Sequence, residues 1–216
     1  MTSQSFADTE FVVRTIAQTA VDNEKYFGDL DSVVGDGDFG FSLARGFEIV
    51  LNDWDGYDRS DIGTFLQKIA VVITSRIGGT SGPIWGTAFL RAATVAKGRD
   101  ELTGEDVVTM LRKATEGIMA RGNAELGDKT LLDAIAPMTD TIEERLAAGD
   151  ASDAVVAAAT SAARTAADAT ITMQARRGRA SYTGERSIGS VDPGAIAVAV
   201  ILERLQSTWA DRPKTT

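Results

Sequence analysis

The sequence predicts an all-α domain of eight antiparallel, amphipathic helices. Three observations carry that expectation. Apolar residues recur at helical spacing in eight segments, no segment alternates convincingly as a strand, and the connections are short. With 216 residues, 44% hydrophobic and 25% charged, the chain can build a sizeable core. No shift in composition marks a linker, so residues 1–216 read as one domain, with loose tails at about 1–8 and 210–216.

The first helix runs from Thr9 to near Gly28, with Val12, Ile16, Ala20 and Phe27 on one face. The second starts at Phe39 and carries Phe41, Ala44, Phe47 and Leu51. Asp61 opens the third, with Ile62, Leu66, Ile69 and Ile73. The breaker Gly78–Pro83 precedes the fourth, where Pro83 suits a first turn because a missing N–H costs nothing there. That helix reaches Ala96. Thr103-Gly-Glu-Asp106 resembles a capping box at the head of the fifth. The polar run 121–130 ends it. The sixth follows to Ala148, bent at Pro137 and stopped by Gly149. Ser152 caps an Ala-rich seventh helix that extends to Met173. After a glycine- and arginine-rich stretch, Asp192 and Pro193 provide the N-cap and first residue of the eighth.

In an up-and-down array alternate loops share one end of the bundle. The glycine- and charge-rich loops follow helices one, three, five and seven, so all four should meet at the same end. Helix N-termini aimed there would offer free N–H groups to an anion.

Composition bounds the chemistry available at that end. A net charge of −9 and a pI near 4.6 speak against nonspecific binding to nucleic acid or an anionic membrane. With no Cys and no His, thiol chemistry, imidazole catalysis and the usual zinc sites are excluded. The start of the chain shows no signal peptide, and no apolar run approaches the about 18 residues of a membrane span. A cytoplasmic location is therefore expected.

Asp31, Asp36 and Asp38 lie among three glycines just before a helix. Close carboxylates repel one another unless a cation joins them, and all-oxygen ligation points to Mg²⁺. An Asp/Gly-rich turn that caps the helix is the bland alternative. The loop lacks the ligand series and terminal Glu of an EF-hand. Gly78-Gly79-Thr80-Ser81-Gly82 could cradle phosphate oxygens with backbone N–H groups and two hydroxyls, or simply turn the chain. Gly122-x-x-x-x-Gly127-Asp-Lys129-Thr130 is nearly a P-loop, but Asp128 is extra and no strand precedes it. Arg179 could pair with a phosphate or with neighbouring acids.

Read together, GDGDFG after Asp31, GGTSGPIWGTAFLRAA, RGNAELGDKTLLDAIAP and TITMQARRGRASYTGERSIGSVDPGA closely resemble the L subunit, or nucleotide-binding domain, of dihydroxyacetone kinases. The motifs run in the same order from Asp31 to Ala195. The resemblance implies a closed barrel of eight antiparallel helices with ADP or ATP at one end. It implies two Mg²⁺ ions held by Asp31, Asp36 and Asp38. The phosphates would lie against Phe39, Gly40, Phe41 and Ser42 and against Gly79, Thr80 and Ser81. Gly122, Leu131, Arg179, Asp192, Pro193 and Gly194 would line the rest of the nucleotide pocket. Many members have His where this chain has Phe39, so only the backbone of that residue is left for phosphate.

The expected function is a phosphotransferase subunit that passes a phosphoryl group to a short-chain ketose on a separate, ketose-binding K subunit. In one family version ATP exchanges. In the other, ADP stays bound and is recharged by a phosphohistidine protein of the phosphotransferase system, the version expected here. A homodimer is a further partner reading. The rival classes are a non-catalytic nucleotide-binding regulator and a structural metal-binding module.

Overall fold

The computed structural model describes residues 3–215, and among these the apolar periodicity resolves into nine α-helices and no strand. They are α1 (Gln4–Asp22), α2 (Glu24–Asp31), α3 (Phe39–Asn52), α4 (Ile62–Arg76), α5 (Ser81–Ala96), α6 (Gly104–Gly122), α7 (Leu132–Ala147), α8 (Ser152–Ala169) and α9 (Pro193–Thr208). The ninth arises because the expected first helix breaks at Asn23. There the side-chain Nδ2 donates to the Thr19 carbonyl at 2.8 Å, and the backbone leaves helical geometry at φ −108°. Asn competes in this way for backbone groups wherever a helix can afford a bend. After the break α2 continues past Gly28, so that Asp31 is its last residue.

Each helix of the ring α1, α3, α4, α5, α6, α7, α8 and α9 packs against the next, and α9 returns to α1. The result is the closed all-helical barrel expected, with α2 folded back on α3. Its core is continuous. Phe47 meets Trp85 edge-on at 6.2 Å, and Trp54 meets Phe65 at 5.6 Å. Fully buried Phe27, Leu43, Ile69, Ile118 and Leu132 fill the layers between. Among the described residues, no helix is long and apolar enough to cross a membrane.

Several helix starts form as their sequences dictate. Asp61 accepts from the Thr64 N–H at 2.8 Å, and Thr103 and Asp106 form a reciprocal capping box. Asp192 caps α9 through the Ala195 N–H at 2.7 Å, with Pro193 in the first turn. Ser152, by contrast, is the first residue of α8 and not its cap, and α8 ends at Ala169 before a 3₁₀ turn. Pro137 lies inside α7, which continues through it.

The expected N-terminal tail is corrected from Ser3 onward; residues 1, 2 and 216 lie outside the described residues. Ser3 caps a helix that already includes Phe6 and Ala7, both buried against the core. At the other end, the Thr215 N–H donates to Gln4 Oε1 at 2.8 Å, and Arg212 lies over the Trp209 ring at 4.6 Å. Burial of Phe6 and these polar contacts offset the entropy that would fray the ends.

Candidate functional site

The four polar loops meet at one end of the barrel, as helix counting requires. They enclose a cleft of about 270 Å³. One wall is the Asp31–Phe39 turn and the opposite one the start of α5. The stretch after α6 and the segment before α9 complete it.

Asp31 closes α2, and its backbone carbonyl accepts from the Gly35 N–H at 2.6 Å. A Cβ at Gly35 would collide with the Asp31 carboxylate, so glycine is what gives that carboxylate its room. The Asp31 carboxylate also accepts from the Phe39 N–H at 3.3 Å, tying it to the first turn of α3. One oxygen from each of Asp31, Asp36 and Asp38 falls within 4.8 Å of the others. The Arg179 guanidinium pairs with Asp36 and lies 3.4 Å from Asp38. A positive group thus already stands against two of the three carboxylates. Hard oxygen donors that accept a cation in this position suit a divalent ion such as Mg²⁺.

Across the cleft, Gly79 adopts φ +62° and leads through Thr80 into α5. Gly82 sits so close to the Ile77 carbonyl that a Cβ there would clash. This packing sets the N-terminus of α5, with Thr80 and Ser81, in the cleft lining. Ile84, Ile118 and Leu131 add an apolar flank.

Asp192 lies at the floor. Burial pushes its carboxyl up to about 7, and nearby Asp133 adds to the rise, while the Ala195 N–H bond and Lys129 hold it back. Burial also holds the Lys129 ammonium below the usual lysine range.

The cleft therefore brings together Asp31, Asp36, Asp38, Phe39, Gly79, Thr80, Ser81, Gly122, Leu131, Arg179, Asp192, Pro193 and Gly194. Gly40, Phe41 and Ser42 do not line it. Successive helical residues turn by about 100°, which takes Gly40 and Phe41 off the face that Phe39 presents to the cleft, while Ser42, three residues on, returns to that face behind Gly78. Gly40 is buried against the Glu24 and Gly28 backbone of α2. Phe41 is 54% exposed, with Arg45 over its ring. Ser42 faces Gly78. Sequence reasoning missed Ile84 and named Lys129 only within the near-P-loop that it set aside. Trp85 is 8% exposed and serves as both core and cleft wall. For Ile84 the available signal was its place in the first turn of α5.

A carboxylate triad facing a helix start across a cleft of this size suits a helical protein that takes up an anion together with its metal. The chain belongs to the DAK2 domain family, whose model matches residues 33–207. It is 41% identical, over 84% of its length and 86% of the relative's, to the ADP-binding subunit DhaL of the PEP-dependent dihydroxyacetone kinase of Escherichia coli. It is 32% identical, over 85% and 88%, to the ADP-binding subunit of the PTS-dependent enzyme of Lactococcus lactis. It also resembles 34% of the length of an L-erythrulose 1-kinase of Mycolicibacterium smegmatis, at 35% identity. Among solved structures, the dihydroxyacetone kinase of C. freundii in complex with AMP-PNP and Mg²⁺ aligns with a TM-score of 0.72 and 25% identity. That alignment covers 96% of this chain and 35% of the kinase chain, so this chain spans about a third of that protein.

Proposed function

We propose that this chain is the nucleotide-binding subunit of a kinase for dihydroxyacetone or a similar short-chain ketose. The observation that carries the reading is the convergence of Asp31, Asp36 and Asp38 opposite the α5 N-terminus. Family membership supports it, as does a fold shared with a kinase crystallised with AMP-PNP and Mg²⁺.

In this reading the whole chain is one nucleotide-binding domain. Asp31, Asp36 and Asp38 hold Mg²⁺, which when bound neutralises charge on the nucleotide phosphates. The N–H groups at Gly79–Ser81 and the two hydroxyls orient the phosphates, and the Phe39 N–H stays with Asp31. Arg179 supplies a further positive group beside them. Gly122, Leu131 and the Asp192–Gly194 turn bound the remainder of the nucleotide, with Ile84 and Ile118 shielding its apolar face from water.

In this reading the ketose is held on a separate ketose-binding subunit, which completes the reacting site. ADP as a retained cofactor, recharged by a phosphotransferase-system protein in the cytoplasm, is the preferred version. It is supported by the 41% identity to the PEP-dependent E. coli subunit, of which the match covers 86%. An ATP-dependent enzyme with exchangeable nucleotide is the second version, supported by the likeness to the kinase crystallised with AMP-PNP.

The test is calorimetric titration of Mg-ADP into the wild type and into Asp36→Ala and Asp38→Ala. The variants should lose roughly a hundredfold in affinity, the upper end of the roughly 10–100-fold that loss of even an outer partner costs a metal site. Wild-type affinity in either variant removes the metal assignment. Reconstitution with a ketose-binding subunit and either donor then separates the two versions, and the absence of any ketose phosphate would leave a regulator.

A further inference from the structure

The near-P-loop around Lys129 does not behave as one. The Lys129 side chain is only 2% exposed, and its backbone sits in the left-handed region at φ 63°. Its Nζ donates to the carbonyls of Met173 at 3.1 Å, Ser190 at 2.7 Å and Ser187. An ammonium has three donors, and all three are used. None is left for a phosphate.

The three acceptors come from the two ends of one segment. Met173 is at its start, and Ser187 and Ser190 are at its end. Between them lie Arg177 and Arg179, both on the cleft wall, and Asp192 follows directly. The neighbouring residue reinforces the same segment. The Asp128 carboxylate accepts from Arg177 Nε at 2.8 Å, and its carbonyl accepts from the Arg176 N–H at 3.0 Å. A buried ammonium is tolerated only when its partners replace its hydration shell, so these carbonyls and the charge hold one another in place. The left-handed backbone of a non-glycine residue points to the same constraint.

We propose that Lys129 is a positioning residue: its ammonium clasps the two ends of segment 173–190 and so fixes Arg179 and Asp192 at the cleft, an inference that rests on the nucleotide reading for its consequence but not for its geometry.

Segment 173–190 contains Arg176, Arg177, Arg179 and Arg186, all cleavable by trypsin. The clasp can therefore be read directly in the full chain with no nucleotide present. Lys129→Met should keep its helical circular dichroism yet be cut within the segment at least about tenfold faster, the scale of losing one charge-assisted hydrogen bond. Its Mg-ADP affinity should fall by a similar factor. The chain has no cysteine, so Lys129→Cys carries a single thiol. Unfolded, alkylated with bromoethylamine and refolded, that variant regains an ammonium at nearly the original length. Alkylation with bromoethane restores the bulk without the charge.

The aminoethyl form should recover wild-type protection and the ethyl form should not. Equal cleavage of the two forms, whether both protected or both cut, overturns the proposal. So does wild-type protection in Lys129→Met. If the aminoethyl form alone is protected while the wild type fails to bind Mg-ADP, the clasp stands and the nucleotide reading fails.

Discussion

The guanidinium of Arg179 lies 3.4 Å from the Asp38 carboxylate and also pairs with Asp36, joining the segment before α9 to the turn before α3. The groups are about half exposed, so the pair contributes little to stability. Its interest lies in competition, because the same carboxylates are the proposed metal ligands.

Arg179→Ala should accordingly act in opposite directions. Without nucleotide, Mn²⁺ binding followed by paramagnetic resonance should strengthen by up to about fivefold, the worth of an exposed ion pair. Mg-ADP binding should weaken by roughly tenfold or more, because a charge-assisted bond to phosphate is lost. Parallel changes in both would show that Arg179 acts only through the carboxylates.

Asp192 predicts a pH dependence of stability. Its carboxyl is raised from 3.8 to about 7 by burial. Between those values the folded chain keeps a proton that the unfolded chain has released. Its contribution to stability is therefore full below about pH 4, declines as pH rises, and is lost above about 7, by up to about 4 kcal/mol. Asp192→Asn keeps an acceptor for the Ala195 N–H and removes the titration. Urea unfolding near pH 5 and near pH 8 should find the variant gaining on the wild type at the higher pH. A constant difference across the range would refute the assignment.

Gly40 sits where α3 crosses α2. A Cβ there would strike the Glu24 carbonyl and the Gly28 nitrogen, both backbone and neither free to rotate away. Gly40→Ala should cost about 2–3 kcal/mol, lowering Tm by roughly 5–10 °C, since overpacking must move a helix. Calorimetry would measure this, and an unchanged Tm would mean that the two helices separate freely.

Phe39 faces the cleft and packs on Phe27 with ring centroids 6.1 Å apart, while its N–H donates to Asp31. Phe39→His preserves the backbone and a planar ring. Mg-ADP affinity should stay within about threefold of wild type, with a stability cost of about 1 kcal/mol from lost apolar area. A tenfold gain in affinity would instead give the imidazole a role that the backbone does not supply.

Much of the fold was legible because it rests on local chemistry. Helix faces follow from spacing, and the caps at Asp61, Thr103 and Asp192 follow from residue type. The break at Asn23 was missed because a side-chain bond to Thr19 decides it, and apolar spacing runs straight through. The N-terminal residues looked polar enough to fray, but Phe6 finds buried surface supplied by Phe65, far away in sequence.

The candidate site divides in the same way. Helix counting alone is enough to bring four loops to one end, since antiparallel order leaves them no other place. Residue chemistry offers Asp31, Asp36 and Asp38 as cation ligands and the glycine-rich start of α5 as an anion cradle, each against a plain turn, and the family resemblance chooses between the readings. Tertiary packing decided the rest. It turned Gly40 and Phe41 away from the cleft, because neighbouring helical residues point about 100° apart. It desolvated the Asp192 carboxyl and shifted its proton affinity. It also surrounded Lys129 with carbonyls from distant parts of the chain. Spacing cannot foretell which carbonyls will converge on a buried charge, because that depends on how separate segments close around it.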